Sequence, residues 1–503
     1  MILAGAWFLR GHDPNYSSAF MDESVYVVYG RMFLSGHFEA PLDQPLRFSF
    51  GWYLWPALAA TADRIGGIAG VRELAAILGT LTVLAVFGMA RRVFSPATGL
   101  AAAAIFALLG PAVLACRIAT RDSGAICFFA VGLWLYVRAW QKQERSTWLA
   151  AGACLFAAFL CKYLVAIFFP FLAVLTLVKG RRAVAFCAVP LTLLCGGYYL
   201  WHASDLAALL NYARAYGSLK APGDEAWKIY FTGRADFWTL FLLSVGAWRR
   251  GPGSPKRAVL LMWLGGALLP LFQWYSRADY DYWKHVNYSL VFFTPLAAEG
   301  LLRMVRGLAG RSFKAGGCAA VGMLALALGW NGKAWQMDRF VFWPNVEPIA
   351  AFFDGRLTGE NRVLIDDSVL RYYLHPALRQ ERMTDPFYFR YRDATGEAAY
   401  GAAVGDGYFD YVALDGGMGE EARQMRAAIL PNLPRHYRLT VKMPEANLGQ
   451  EIEIYERRDP PPARPTAAGP TVEILAPINN AVVKTSDKRT LLRGAVKGAG
   501  AGW

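Results

Sequence analysis

Between residue 50 and residue 331 the chain runs through one long apolar stretch after another, and then the stretches stop. A helix needs about 20 residues to cross the hydrocarbon of a bilayer, and several of these stretches reach that length. Lipid offers no water to backbone N–H and C=O groups, so such runs are expected to be α-helices. The fold expected is a polytopic α-helical membrane bundle followed by a water-soluble, extracytoplasmic α/β domain. Spans are expected at 72–90, 97–115, 124–140, 147–161, 163–178, 183–201, 235–248, 256–275, 286–302 and 315–331, with a partial span near 51–62. The opening MILAGAWFL is apolar but too short to cross, and it lacks the charged start and cleavage site of a signal peptide. It reads as the outer end of a first transmembrane helix whose beginning is missing from this sequence.

The formal net charge of +14 is spread in a way that argues against nucleic acid. The cations cluster in short links between apolar runs: ARRVFS, RAWQKQER, KGRR, RRGPGSPKR and RMVRGLAGRSFK. Cytoplasmic loops carry this excess of Lys and Arg. With the loop 10–70 placed outside, every strongly basic short link falls inside and the domain after 331 falls outside. All seven cysteines lie in or beside apolar runs without metal-ligand spacing, as small packing residues do.

The orientation isolates a few charged groups at the outer ends of the spans: Asp22, Glu23, Arg117, Arg121, Asp122, Lys162, Lys284 and His285. Ionisable groups beside hydrocarbon are costly and tend to mark functional sites. In MDESVYVVYGRMFLSG, apolar residues at 25, 28, 29, 32 and 33 define one helix face, and Gly36 is a stop signal. An interfacial helix over 22–36 would hold Asp22 and Glu23 at its start. A cap at Asp22 and dipole complementation by Glu23 account for the same pair structurally. Arg117 and Arg121 stand four apart, with Asp122 beside them, and Lys162 stands alone among about thirty uncharged residues. Snorkelling to the interface is the structural alternative for these cations. Lys284 and His285 are followed one turn later by Tyr288. Asp279 and Asp281 are weak metal candidates, and a solvated acidic loop explains them equally. No cofactor is expected. Cations of this kind suit a phosphate at headgroup level, and a carboxylate suits a general base.

At these residues the chain resembles the lipid-phosphate-dependent membrane glycosyltransferases of the GT-C superfamily. It is most similar to the bacterial aminoarabinose transferases of lipid A and the protein O-mannosyltransferases. Four family patterns occur in order over about residues 18–300: DESVYVVYGRMFLSGHF, ATRDSGAICFF, LCKYLVAIFFP and KHVNYSLVFFTP. The resemblance implies that Asp22 is the catalytic base with Glu23 assisting. It implies that Lys162, Lys284 and Arg121 hold the donor phosphate, with His285, Arg117 and Tyr288 beside them. Asp122, Arg31 and Arg47 become acceptor or supporting residues. The chain departs from the family where a first-loop Lys-Pro is replaced by Gln44-Pro45, with Arg47 nearby, and where Tyr163 rather than Gly follows Lys162.

The implied reaction passes a sugar from a polyprenyl-phosphate donor to an extracytoplasmic glycan, lipid or protein, with inversion. It would occur on the outer face of a bacterial-type plasma membrane, with membrane lipids as neighbours. A pyrophosphate-lipid oligosaccharyl transferase and a non-enzymatic transporter are the alternatives. The expected domains are 1–334 (transmembrane), 335–458 (α/β), a Pro/Ala-rich linker at 459–470 and the start of a small β-domain at 471–503. In the α/β part, RVLID, YFDYVALD, YRLTVKM and EIEIYER read as strands. Asp366-Asp367 and LDGG at strand ends would serve either a sugar acceptor or turn chemistry.

Overall fold

The structure is a computed structural model that describes residues 1–36, 53–207, 235–248, 256–276, 282–309, 321–324, 343–375, 377–386, 389–417, 419–458, 472–474 and 483–485. Arg47, Asp279, Asp281, the linker and most of the span at 315–331 lie outside the described residues. Contacts divide the chain into two units: Met1–Pro14 with Ser49–Asp338, and Asn15–Phe48 with Arg339–Trp503. The division is not linear along the chain. The first loop, expected to go with the membrane helices, groups instead with the C-terminal domain. Hydrogen bonds from Ser17, Ser18 and Ala19 to residues beyond 340 account for this.

Helices are numbered along the chain: α1 (Ile2–Gly11) in the first unit, α2 (Met21–Ser35) in the second, then α3 (Leu54–Val93), α4 (Pro96–Leu108), α5 (Gly110–Arg117), α6 (Arg121–Lys142), α7 (Arg145–Cys161), α8 (Tyr163–Lys179), α9 (Arg181–Trp201), α10 (Phe237–Trp248), α11 (Lys256–Ser276) and α12 (Tyr282–Ala309). Among the described residues, five helices are long and apolar enough to cross a membrane, and the bent pair α4–α5 makes a sixth candidate.

Two expected spans change form. The partial span near 51–62 and the span at 72–90 merge into α3, whose 40 residues break at Gly66 and Gly67. The residues after the break, 68–93, rise about 39 Å and are long enough to cross the ~30 Å hydrocarbon, whereas those before it, 54–65, rise only about 18 Å. Gly67 sits at φ 61, ψ −153, a conformation essentially restricted to glycine. The span expected at 97–115 is bent by 58° between α4 and α5. A break frees carbonyls that need donors where water is scarce. Arg10 donates to Ala107 O (2.9 Å) and Phe106 O (3.3 Å), and Asn287 Nδ2 donates to Pro111 O (3.1 Å).

In the second unit, five strands follow the order β2-β1-β5-β7-β6. These are β1 (Val363–Ile365), β2 (Met383–Thr384), β5 (Tyr411–Leu414), β6 (Tyr437–Pro444) and β7 (Glu451–Arg457). The pairs β1–β2 and β1–β5 are parallel, whereas β5–β7 and β6–β7 are antiparallel. Alternation in EIEI buries Ile452 and Ile454. The helix Glu420–Ile429 buries Ala422, Met425 and Ile429, at i, i+3 and i+7 spacing. Met425 and Ile429 join Leu364, Val412 and Leu414 of the sheet in one core. A short hairpin, β3 (Arg390–Tyr391) with β4 (Ala394–Thr395), lies beside this sheet in the sequence. Near the C-terminus, β8 (Val472–Ile474) and β9 (Val483–Thr485) form an antiparallel ladder.

Candidate functional site

The hairpin of α6 and α7 brings the start of one helix beside the end of the other. Asp122 in the first turn of α6 thereby meets Lys162, the residue that ends α7 in extended conformation. Lys162 Nζ donates to both Asp122 oxygens at 2.8 Å. Both side chains are buried, at 6% and 1% exposure. The counter-charge expected for a lone lysine is thus supplied within the chain. From the second turn of α12, Tyr288 donates to Asp122 Oδ1 at 3.4 Å. Lys284 and His285, one turn earlier, act electrostatically on the same carboxylate. Arg121 acts on Tyr288. Gln273 Nε2 stands 2.9 Å from His285 Nδ1.

The sequence-expected residues Arg121, Asp122, Lys162, Lys284, His285 and Tyr288 are therefore brought together at one end of the first unit. Phe129, Phe168 and Phe292 wall this cluster on the apolar side, with ring centroids of Phe129 and Phe168 at 5.8 and 6.4 Å from Tyr288. Low polarity behind the charges strengthens their mutual attraction. Lys162, Lys284 and His285 act on one carboxylate, and Arg121 acts on the Tyr288 hydroxyl beside it.

Arg117 has a different setting. It is buried and donates to His12 O (2.9 Å), with His12 Nδ1 at 2.8 Å, which ties α5 to the end of α1. Four-residue spacing from Arg121 did not reveal this, because α5 ends at Arg117 and a new helix starts at Arg121.

Asp22, Glu23 and Arg31 belong to the second unit. Helix α2 spans Met21–Ser35, close to the expected 22–36, and Gly36 closes it in the left-handed region at φ 69. Neither carboxylate caps it as N-cap, since that position is Phe20. Glu23 is fully buried, and its Oε2 accepts the Phe20 backbone N–H at 2.8 Å, the reach-back half of a capping box. Asp22, partly exposed, stands beside it in the first turn. The apolar face expected to lie on lipid is largely enclosed by protein: Val28, Tyr29 and Met32 are buried, and α2 packs on the short helix Leu370–Leu374. Arg31 donates to Tyr372 O at 3.2 Å and lies over its ring.

The strand-end aspartates serve turn chemistry. Asp367 Oδ1 accepts from Val369 N (2.8 Å), Asp415 Oδ1 from Gly417 N (2.9 Å) and Asp366 Oδ1 from Asp415 N (2.9 Å). All three are buried. Burial, then the neighbouring Asp415 and Asp385 carboxylates, push Asp367 up to about 8. The unfolded chain releases this proton near 4. Stabilisation from the protonated folded form is therefore full below about 4, shrinks as pH rises and is gone above about 8. Asp367→Asn keeps an oxygen for the Val369 N–H and removes the ionisation. Intrinsic-fluorescence melts of the full chain in detergent should show a smaller loss of melting temperature from pH 5 to pH 8 than wild type. An unchanged slope would assign the pH dependence to other groups.

A second polar constellation in the first unit was not marked by the sequence. Tyr53 O–H pairs with His202 Nε2 at 3.0 Å, and His202 Nδ1 with Asp205 Oδ2 at 3.0 Å. Tyr163, the residue that replaces the family glycine, bonds through its hydroxyl to Tyr198, whose ring lies tilted against His202. The signal available was a histidine, one of only six, just after an apolar run.

Residues 50–200 match the family model described as dolichyl-phosphate-mannose-protein mannosyltransferase. No curated protein sequence matches the chain. Among solved structures, ArnT from Cupriavidus metallidurans bound to undecaprenyl phosphate matches with a TM-score of 0.62 at 13% identity, covering 90% of this chain and 97% of that one. Its apo state gives 0.64 at 13% identity, covering 90% and 95%. The arabinofuranosyltransferase AftD from Mycobacteria gives 0.56 at 12% identity, covering 91% of this chain and 40% of that one. The shared fold is a multi-span helical membrane protein with a C-terminal mixed α/β region.

Proposed function

We propose that this chain, whose residues 50–200 match the protein mannosyltransferase family model, is a GT-C membrane glycosyltransferase that moves a sugar from a polyprenyl-phosphate donor to a hydroxyl acceptor on the extracytoplasmic side. The observation that carries this reading is the cluster of Lys162, Lys284 and His285 around the Asp122 carboxylate, with Arg121 beside Tyr288, at one end of the membrane helices. A lipid tail delivers a phosphate to that depth, and a soluble nucleotide sugar has no such anchor. The relative bound to undecaprenyl phosphate supports the same donor class.

In the reaction, Asp22 takes the proton of the acceptor hydroxyl. The oxygen attacks the anomeric carbon from the face opposite the phosphate, the bond from that carbon to the phosphate oxygen breaks, and the configuration inverts. The leaving phosphate gains charge as the bond breaks. Cations already fixed in place stabilise it without reorganisation. Lys162 is engaged by Asp122, so it acts chiefly by holding the carboxylate beside Lys284, and Lys284 meets the phosphate together with Arg121, which stands by Tyr288. The positive-inside pattern supports an outside position for this end of the bundle and for the C-terminal domain.

Vesicles made from the producing cell's own envelope lipid hold both donor and acceptor. Adding purified protein should release free polyprenyl phosphate, quantified by mass spectrometry, and absence of release would contradict the proposal. Release should persist in excess chelator, because side-chain cations neutralise the leaving group. Loss in chelator with recovery on magnesium or manganese would favour the pyrophosphate-type alternative, with Asp279 and Asp281 as ligands.

A further inference from the structure

Every residue from Ser17 to Phe20, the stretch that leads into α2, is tied down. Asn447 Nδ2 donates to Ser17 Oγ at 3.1 Å. Ser18 Oγ donates to Pro344 O (3.2 Å), while Trp343 Nε1 donates to Ser18 O (3.3 Å). Ala19 N donates to Tyr373 Oη at 2.9 Å. Phe20 meets the Trp343 ring edge-on at 5.1 Å, and its N–H goes to Glu23. Ser18, Ala19 and Trp343 are essentially inaccessible to solvent. The partners are themselves braced. Asn447 also donates to Trp343 O at 2.8 Å, and the buried Glu445 accepts from Asn345 N (2.6 Å), Asn447 N (2.8 Å) and Leu448 N. At the other end of α2, Arg31 grips Tyr372.

Solubility or folding of a first loop does not require four consecutive residues to be fixed in this way. Asp22 follows two residues after the last of them. We propose that the C-terminal domain is a positioning element of the transfer site, setting the place of Asp22 through Tyr373, Trp343 and Asn447. The inference rests on the reading of Asp22 as the general base. A base displaced by about 1 Å loses up to ~10²-fold in rate, so an anchor for its helix start has a catalytic consequence without touching substrate. Tyr373 and Asn447 are positioning residues in this sense. They reach Asp22 only through the backbone that precedes α2.

Tyr373→Phe removes one hydroxyl, the acceptor for the Ala19 N–H, and leaves the ring. The test compares the full-length wild type, Tyr373→Phe, Asp22→Asn and the double variant. The readouts are polyprenyl phosphate release in envelope-lipid vesicles, binding of undecaprenyl phosphate and thermal melting. Tyr373→Phe should lower kcat roughly tenfold, within the range set by small misplacement. The apparent KM for the vesicle donor and the affinity for undecaprenyl phosphate should stay within about twofold of wild type. In the Asp22→Asn background the same change should add no further loss. Trp343→Phe, which removes the Nε1–H donor to Ser18 and shrinks the ring that meets Phe20, should behave alike and stands in if Tyr373→Phe fails to fold. An equal fold-loss with and without the Asp22 carboxylate overturns the inference, as does a rise in KM with kcat unchanged. Near-normal turnover in Asp22→Asn overturns the reading of the base, and this inference with it. A dead Asp22→Asn beside an unimpaired Tyr373→Phe overturns the inference alone.

Discussion

Asp22→Asn should slow sugar transfer by about 10²- to 10⁴-fold, the usual effect of removing a general base. The change keeps the size of the side chain and its place in the first turn of α2. Undecaprenyl phosphate should still bind with near wild-type affinity, because the cations assigned to the phosphate sit on α6, α7 and α12 rather than on α2. Glu23 is a poor substitute base: it is fully buried and holds the Phe20 N–H. Removing it should act through the helix start instead, lowering stability together with activity. If Asp22→Asn turned over at close to the normal rate, the role would pass to Asp122, the carboxylate at the centre of the cation cluster.

The second large effect is expected at Asp122. Its carboxylate takes both hydrogen bonds offered by Lys162, and neither residue has water to fall back on. Breaking a buried ion pair from one side typically costs about 3–5 kcal/mol, since the remaining charge stays buried without compensation. Asp122→Ala should therefore sharply reduce the melting temperature of the detergent-solubilised protein and its yield, and abolish release of polyprenyl phosphate. Replacing both partners, Asp122→Ala with Lys162→Met, should restore much of the melting temperature. Activity should stay low in the double variant because Tyr288, Lys284 and His285 lose the carboxylate they share. Full recovery of activity along with stability would reduce the pair to a structural brace.

How much of this was legible beforehand depends on the physics involved. Helices spaced by apolar run length were readable, since each run must satisfy its own backbone in lipid. Strands such as EIEIYER were readable from their alternation. Asp122, Lys162 and Lys284 stood out because a charge at the end of an apolar run is rare. Their mutual arrangement was only half visible: Lys162 announced the need for an anion, and the sequence suggested a phosphate where the fold supplies Asp122. Arg10, buried at the α4–α5 break, was unreadable because neither the bend nor the carbonyls it frees show in a run of alanines and leucines. Arg117 misled for the same reason, its i+4 spacing interrupted by a helix boundary at Ile118. The attachment of residues 17–20 to residues 343–447 depends on contacts more than 300 positions apart, and no local pattern encodes those.

Sugar transfer by this chain depends most on recognition of a phosphate by the cation cluster. Binding of undecaprenyl phosphate and of undecaprenol to the purified protein, each measured for wild type and Lys284→Ala, isolates that recognition from the lipid tail common to both. Wild type should bind the phosphate far more tightly than the alcohol, and Lys284→Ala should lose about 1.5–3 kcal/mol of the difference, the worth of a charged hydrogen bond. Equal affinity for phosphate and alcohol, or a Lys284→Ala variant that keeps the whole difference, would contradict the proposed site.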